Sequence, residues 1–482
     1  MKAPVAIEIA IEIAIAIAIA KRLPLVAALT TGAMLLAACA TPQPVAPTPL
    51  PLATGYANAS LAAAGEVPDL SNWWQRFGDP VLDELVASAL DGNTDLKSAI
   101  ARIDAARALR AGTASQGLPQ LGLGASAGRQ RLSASQSASG NPDTGNVFGA
   151  GLGASWEVDL FGRIRQDVAA ADAELRSASD AAQAVRVAVT GEVVQTYLGA
   201  RNLEHRLQLV SANARSQAET ETLTRRLFDA GAVPIADVDR ARAQSEATHA
   251  QLPLLELERQ NALHRLSILV ATTPQDIYAR MEPLAARPQW TPPAGIGTPA
   301  DLLRLRPDVK AAESVVVAAY ARVGVARAEL LPHLRLAGAI GVAADAVSGA
   351  TLARSLAWMF GADAALPLFD GGRRRSTVRL REAEAEQALQ RYRTTVLRAV
   401  TEVEGAVAAS ARNRDRVARL EQAASSARAA YDQINRSWRA GESAFIDTLQ
   451  VQRTLLEAEE ELSIAQAAAL RSQVGVVTAL GQ

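Results

Sequence analysis

Four segments of the chain alternate between apolar residues and small or polar ones. In the segment 145–160 the apolar set is Phe148, Ala150, Leu152, Ala154, Trp156, Val158 and Leu160, and the residues between these are Gly, Ser, Glu and Asp. The same period recurs over 331–343 and 357–369 and, more weakly, over 118–133. Since a period of two is that of a β-strand, the pattern predicts four strands, each with one apolar face.

Two architectures fit these strands. The clearest alternation covers about 13 residues, which exceeds the mean length of strands in soluble proteins and suits a strand that crosses a bilayer. A soluble sandwich with one solvated face is the alternative, because Gly-rich polar faces also occur there. The export signal described below favours the membrane-crossing interpretation.

Two very long helices are predicted after the strand pairs. Segments 163–230 and 373–440 contain no Pro and few Gly, and each has 68 residues. As continuous helix each would run roughly 100 Å at 1.5 Å per residue. Segments 234–273 and 443–480 are predicted to return as helices after turns at Gly231 and Gly441. Apolar and Ala positions recur every three or four residues, as in packed long helices.

The body of the chain consists of two copies of one design. Asp95-Leu96-Lys97 corresponds to Asp308-Val309-Lys310, and Leu118-Pro119 corresponds to Leu331-Pro332, both with an offset of 213 residues. We therefore divide the body into a first repeat, 68–273, a linker, 274–300, and a second repeat, 301–482.

The N-terminus has the pattern of an export signal. Lys21 and Arg22 precede an apolar run that ends Leu36-Ala37-Ala38-Cys39, which resembles a bacterial lipobox. The interpretation is a signal peptide over 1–38 and lipidation of Cys39. The alternative is an ordinary signal with a chance cysteine. The low-complexity residues 1–20 are attributed to a mis-assigned start codon or an upstream extension, and a longer real signal is the alternative. The Pro/Ala-rich segment 39–67 is then interpreted as an extended tether between the lipid and the body of the chain.

Composition excludes several classes of function. The formal net charge is −1, with basic residues spread out, so no nucleic-acid partner is expected. The only cysteine is Cys39 and the four histidines never fall at ligand spacing, so neither a metal site nor a cofactor is expected. Gly124–Gly128 fits the G-x-S-x-G pattern of hydrolases, but its serine lies inside a predicted strand, so no catalytic residue is assigned.

Four strands cannot close a barrel. An open sheet edge in lipid leaves backbone groups unpaired at several kcal/mol each, and single-chain barrels begin at about eight strands. Copies of the chain must therefore pool their strands if the strands cross a membrane. Two chains would supply eight strands and three would supply twelve, and a bore wide enough for solutes favours three.

Four ordered motifs resemble the TolC/OprM family of outer membrane factors, in its lipidated branch. They are Trp73–Leu82, Ser155–Gly162, Arg304–Val309 and Leu366–Gly372. The resemblance implies an α+β membrane protein, in which a homotrimer forms a 12-stranded β-barrel continued by a long α-helical coiled-coil barrel in the periplasm. It also implies outer-membrane lipid, a periplasmic adaptor and an inner-membrane pump, most commonly of the resistance-nodulation-division type, as partners.

In that family the tunnel closes at its periplasmic tip, where acidic residues ring the pore. By position the resemblance assigns this gate to Asp447, six residues beyond Gly441, and to its counterpart Asp237, while Trp438 stands where relatives often have a gate tyrosine. The opposing interpretation is that both Asp residues only cap or solvate helix starts. The expected adaptor contacts are the turn residues Gly231, Ala232, Val233, Gly441, Glu442 and Ser443.

The function that the resemblance implies is passive conduction of substrates across the outer membrane, as the exit duct of a tripartite efflux system. The chain has no nucleotide-binding P-loop pattern, so the energy for transport would come from a partner. Two alternatives remain at this point: the outer-membrane duct of a type I protein secretion system, and a structural coiled-coil lipoprotein of the envelope.

Replacement of Cys39 tests the anchor. We expect Cys39→Ser to abolish acylation, because the thiol is the group that carries the lipid. Intact mass spectrometry of the purified mature chain measures the acyl mass directly. Thr41→Ser, two residues away, serves as the control and should keep it. A wild-type chain without acyl mass would contradict the assignment.

Overall fold

The computed structural model describes residues 53, 55–58, 72–135, 142–282, 290, 295, 297–346 and 355–481. The signal peptide 1–38, the lipidation residue Cys39 and most of the tether lie outside the described residues. The described strands are β1 (Gln120–Leu132), β2 (Asp143–Val158), β3 (His333–Ala346) and β4 (Ser355–Ala365), which form one antiparallel sheet in the order β1-β2-β3-β4.

Most of the remaining described residues are helical. The helices are α1 (Pro80–Gly92), α2 (Thr94–Ser115), α3 (Arg163–Asp229), α4 (Ile235–His249), α5 (Gln251–Val270), α6 (Pro274–Met281), α7 (Pro299–Leu305), α8 (Pro307–Ala328), α9 (Arg373–Arg439) and α10 (Phe445–Ala479). Within the described ranges, none of them combines the length and the apolarity needed to cross a membrane. The predicted fold class, four strands per chain combined with long helices, is confirmed.

The structure differs from the predicted elements in three places. The returning segment 234–273 is two helices, α4 and α5, separated at Ala250. Pro253 explains the break, because it has no N–H to donate to the carbonyl of His249. The predicted linker 274–300 contains α6 and the start of α7. Within the tether, Tyr56 is buried, and the backbone and side-chain amides of Asn58 donate to Glu404 at 3.0 and 2.8 Å.

The duplication is visible in the lengths of the elements. Helices α3 and α9 each have 67 residues and begin 210 positions apart, at Arg163 and Arg373. Helices α2 and α8 each have 22 residues and begin 213 positions apart, at Thr94 and Pro307. The offset therefore falls from 213 before the strand pair to 210 after it.

The chain forms two compact units. One contains residues 108–173 and 316–387, with the sheet and the helix ends that flank it. The other contains most of the helical residues, and its core packs α1, α5 and α6 around Val193 and Tyr197 of α3. Trp290 stacks on Phe77 in this core, with ring centroids 5.5 Å apart.

Asp79 organises the start of the helical unit. Its carboxylate caps α1 by accepting from the amides of Val81, at 3.0 Å, and Leu82, at 3.4 Å. The same carboxylate accepts the phenol hydrogen of Tyr197, which in turn accepts from Arg201 Nε at 3.0 Å. Burial and this bond to Asp79 raise the pKa of Tyr197. The Trp73–Leu82 motif thus contains Asp79, which both caps α1 and joins a buried polar network with α3.

A polar clasp closes each repeat at the end of its returning helix. In the first repeat Asn93 Nδ2 donates to the carbonyl of Leu269 at 2.9 Å. In the second, Arg306 Nη1 donates to the carbonyl of Ala479 at 2.9 Å and also pairs with Glu402 at 2.7 Å. Asn93 and Arg306 are 213 positions apart and the two carbonyls 210 apart, so the clasps are equivalent although the side chains differ.

Equivalent positions just beyond the clasps differ in a way that stability measurements can test. Ala271 ends α5 with a φ of 57°, and its counterpart beyond α10, Gly481, has a φ of 84°. A left-handed conformation costs an L-residue about 1–2 kcal/mol. We expect Ala271→Gly to stabilise the protein by about 1 kcal/mol and Gly481→Ala to destabilise it by about 1–3 kcal/mol, because a Cβ there would lie 2.9 Å from Arg306 Cα.

Thermal unfolding of the detergent-solubilised protein, followed by circular dichroism, measures both effects. Ala250→Gly is the matched control: Ala250 has a right-handed φ of −64°, so the same substitution should destabilise there by about 0.5–1 kcal/mol. A lower Tm for Ala271→Gly would contradict the argument.

Candidate functional site

One face of the sheet is apolar, and no part of the chain that the structure describes covers it. Residues directly opposite each other share a face, and one row across the four strands is Leu123, Leu152, Ile340 and Trp358. Leu123 is 79 % exposed and Trp358 76 % exposed. Exposed apolar side chains in register on every strand are typical of a face that contacts lipid hydrocarbon.

The opposite face of the sheet carries small and polar residues. Gly151 and Gly341 lie directly opposite each other, and a Cβ on either would come within 2.9 Å of a backbone oxygen of the neighbouring strand. Further along the strands this face has the row Glu157, Arg335 and Asp363, which are directly opposite neighbours of alternating charge. A face of this composition suits contact with water.

The two helical tips have the same turn. In the first repeat the amide of Gly231 donates to the carbonyl of Phe228 and that of Ala232 to the carbonyl of Leu227. The amides of Gly441 and Glu442 make the equivalent bonds in the second repeat. This is the Schellman arrangement, which requires a left-handed residue at the glycine. The predicted tip residues Gly231, Ala232, Gly441 and Glu442 are all exposed, while Val233 and Ser443 are partly buried.

The two predicted gate carboxylates lie in equivalent first turns but have different neighbours. Asp237 forms an ion pair with Arg240 at 3.0 Å, and its side chain is 14 % exposed. Asp447 is exposed, the equivalent of Arg240 is Gln450, and no ion pair to Asp447 occurs within the described chain. Neither is the N-cap residue, which is Pro234 in α4 and Ala444 in α10. Of these two carboxylates, only Asp447 lacks an ion pair within the described chain.

Trp438 packs across its turn. Its ring lies 5.2 Å from that of Phe445, which is buried at the start of α10. Ser443 Oγ donates to the carbonyl of Ile434 at 3.4 Å. These contacts join the end of α9 to the start of α10. Trp438 therefore makes an apolar packing contact at the position where the resemblance expects a hydrogen-bonding tyrosine.

A buried polar layer lies near the tip and was missed by the sequence interpretation. Gln217 of α3 and Thr448 and Gln452 of α10 are each at most 3 % exposed, and Gln452 Nε2 donates to Ser216 Oγ at 3.4 Å. Thr448 and Gln452 follow Asp447 closely, but α10 contains many polar residues, so their burial left no signal in the sequence. Asn93 and Arg306 were also missed, although the Arg304–Val309 motif contains one of them.

The segment that resembles a hydrolase motif has no catalytic geometry. Ser126 lies in the middle of β1, directly opposite Gly149 of β2. A nucleophile elbow needs a sharp turn from strand to helix. Among the described residues, no group of three His, Cys, Asp or Glu side chains is arranged to hold a metal ion.

The match to a known protein family is divided into two segments that correspond to the two repeats. The model of the family described as Outer membrane efflux protein matches residues 85–272 and 298–482. The starts of these two segments are 213 residues apart and the ends 210 apart, the offsets seen in the helices.

Individual relatives cover nearly the whole chain. Nodulation protein T of Rhizobium leguminosarum biovar viciae is 31 % identical over 446 residues, which are 90 % of this chain and 88 % of that protein. The pyoverdine export outer membrane protein OpmQ of Pseudomonas putida is 32 % identical over 455 residues, 92 % of this chain and 95 % of that protein. The solved outer-membrane channel OprN superposes with a TM-score of 0.84 at 33 % identity, covering 92 % of this chain and 99 % of OprN.

The exposed apolar sheet face, the duplicated helical repeats and these matches agree with one another, and the matched family is one of channels rather than enzymes. The chain belongs to the outer membrane efflux protein family and is an outer-membrane channel subunit of an efflux system.

Proposed function

We propose that three copies of this chain assemble into one lipid-anchored exit duct of a tripartite efflux pump. The observation that carries the proposal is the open four-stranded sheet, whose outer strands β1 and β4 have no partner on one side within the described chain. Strand edges in hydrocarbon must be paired, so the sheet is completed by other copies. Two copies would make eight strands, a number at which side chains fill the bore, whereas three copies leave a lumen.

The positions of Cys39, Tyr56 and the tip turns support the proposed anchor and partners. Cys39 would hold the lipid, and the docked residue Tyr56 lies 17 positions later, within reach of roughly 60 Å for an extended chain. The tip turns at Gly231 and Gly441 would contact a periplasmic adaptor, and a pump of the resistance-nodulation-division type would supply energy. Relatives named for pyoverdine export and for toluene efflux indicate that substrates differ within the family.

The gate of the duct is assigned to the second-repeat tip. Threefold symmetry would bring three copies of Asp447 around one axis, and rings of carboxylates favour cations in pores. The equivalent ring of Asp237 would be neutralised by Arg240, which pairs with it at 3.0 Å. Asp447 therefore supplies the selectivity, and Asp237 contributes much less.

Assembly and conduction are tested together. We expect the purified acylated protein to have the mass of a trimer in detergent, by light scattering corrected for bound detergent, and to conduct ions in planar bilayers, because the completed barrel encloses a lumen. Protein that has been unfolded and kept in denaturant is the control, and it should not conduct ions. A monomer that is stable in detergent without exposed strand edges would contradict the proposal.

Neutralisation of the carboxylate at the second-repeat tip gives a second test. We expect Asp447→Asn to lower the cation-over-anion permeability ratio severalfold, because it removes the uncompensated carboxylate. Asp237→Asn combined with Arg240→Gln is the matched control and should change the ratio little, because it removes the ion pair without changing the net charge. Reversal potentials under a salt gradient measure the ratio. If this double substitution lowered the ratio as much as Asp447→Asn does, the distinction between the two tips would be contradicted.

A further inference from the structure

The buried polar layer near the second-repeat tip contains atoms that have no hydrogen-bond partner. The layer consists of Gln217 on α3 and Thr448 and Gln452 on α10. Within the described chain, four of its atoms are buried and unpartnered: Nε2 and Oε1 of Gln217, Oγ1 of Thr448 and Oε1 of Gln452. The bond from Gln452 Nε2 to Ser216 Oγ, at 3.4 Å, is longer than a typical N–H···O bond.

The layer lies at the tip end of one long interface between α3 and α10. Farther from the tip, Glu460 of α10 pairs with Arg206 of α3 at 2.6 Å. Farther still, a Cβ on Gly191 of α3 would lie 2.5 Å from Thr478 Cγ2 of α10. Positions that rise along α10 thus fall along α3, so the helices are antiparallel. Their interface is closely packed and bonded away from the tip, and poorly satisfied at the polar layer.

The fold does not require polar residues at these positions. With the offset of 210 between the repeats, the counterpart of Thr448 is Val238 of α4, and the counterpart of Gln217 is Ala427 of α9. Val238 is buried, so an apolar side chain packs at the equivalent place in the first repeat. The polarity of the layer is therefore a property of the second-repeat tip, to which the gate is assigned.

The unpartnered atoms make the closed interface less stable than an apolar one. A buried polar group without a partner has lost its hydrogen bonds to water and gained none in exchange, which is unfavourable. Separation of α10 from α3 near the tip would admit water to all four atoms. Water therefore binds the separated conformation better than the packed one, and such a difference shifts the equilibrium between two conformations.

We propose that the polar layer biases the second-repeat tip toward opening, because its buried atoms gain water as a partner when α10 separates locally from α3. This inference rests on the proposed duct and concerns how readily its gate opens. The ion pair of Glu460 with Arg206 lies eight positions beyond Gln452 along α10. The polar layer is therefore reached by water from the tip before the bonded part of the interface is.

Apolar substitutions at the layer test the proposal. Thr448→Val combined with Gln217→Leu removes three of the four unpartnered atoms and keeps side chains of similar shape. Gln473→Leu is the matched control. Gln473 is also buried in α10 with an unpartnered Oε1, and its counterpart in the first repeat is Leu263, but it lies 25 positions beyond Thr448.

We expect the double variant to have a higher Tm than the wild type and a severalfold lower mean conductance in planar bilayers, because its closed interface no longer buries unpartnered groups. The backbone amides of 445–455 should also exchange hydrogen more slowly, as measured by mass spectrometry of the purified acylated protein. The Gln473→Leu control should leave both the conductance and this exchange unchanged, although it too removes a buried unpartnered atom.

A double variant that is stabilised but conducts like the wild type would overturn the proposal, as would a control that lowers the conductance equally. A lower Tm of the double variant would also overturn it, because the polar groups would then stabilise the closed interface. Wild-type protein that does not conduct at all would instead contradict the proposed duct, so the two failures are distinguishable.

Discussion

Unpaired backbone groups in hydrocarbon are the constraint on which this molecule depends. Strands β1 and β4, of 13 and 11 residues, each face outward on one side of the four-stranded sheet. Every unsatisfied N–H or C=O in lipid costs several kcal/mol, far more than a marginally stable fold can leave unpaired on two edges. The chain is therefore one part of a closed structure, and the apolar face that leaves Leu123 and Trp358 exposed has lipid as its environment.

Duplication kept the backbone of each repeat while the side chains diverged. The tips close with the same pair of hydrogen bonds, and the returning helices end at equivalent carbonyls, Leu269 and Ala479. A neutral amide, Asn93, holds the first, and a buried guanidinium, Arg306, holds the second. Burial alone would lower the pKa of Arg306, but its bonds to Asp308 and its pairing with Glu402 raise it, so the clasp stays charged. The two clasps thus bind equivalent backbone carbonyls with chemically different side chains.

Periodicity predicted the strands and the long helices because each has a face whose polarity repeats along the chain, as in Phe148 to Leu160. The break at Ala250 was missed because Pro253 lies inside an otherwise helical pattern, and only the lost bond to the His249 carbonyl shows its effect. Both candidate gate carboxylates could be named from sequence. The sequence also shows Arg240 one turn after Asp237 and Gln450 one turn after Asp447, but that Arg240 pairs with Asp237 at 3.0 Å depends on side-chain geometry that only the structure shows.

The second clasp fixes α10, the uninterrupted returning helix, at its C-terminal end. At the pinned end of α10, Arg306 binds the last turn through buried bonds, whereas near its other end Thr448 and Gln452 replace apolar packing with weakly satisfied polar groups. A helix of 35 residues is roughly 50 Å long, so a tilt of about 5° about the pinned end moves its far end by about 5 Å. A small change of angle is therefore magnified into a displacement comparable with the diameter of a hydrated ion.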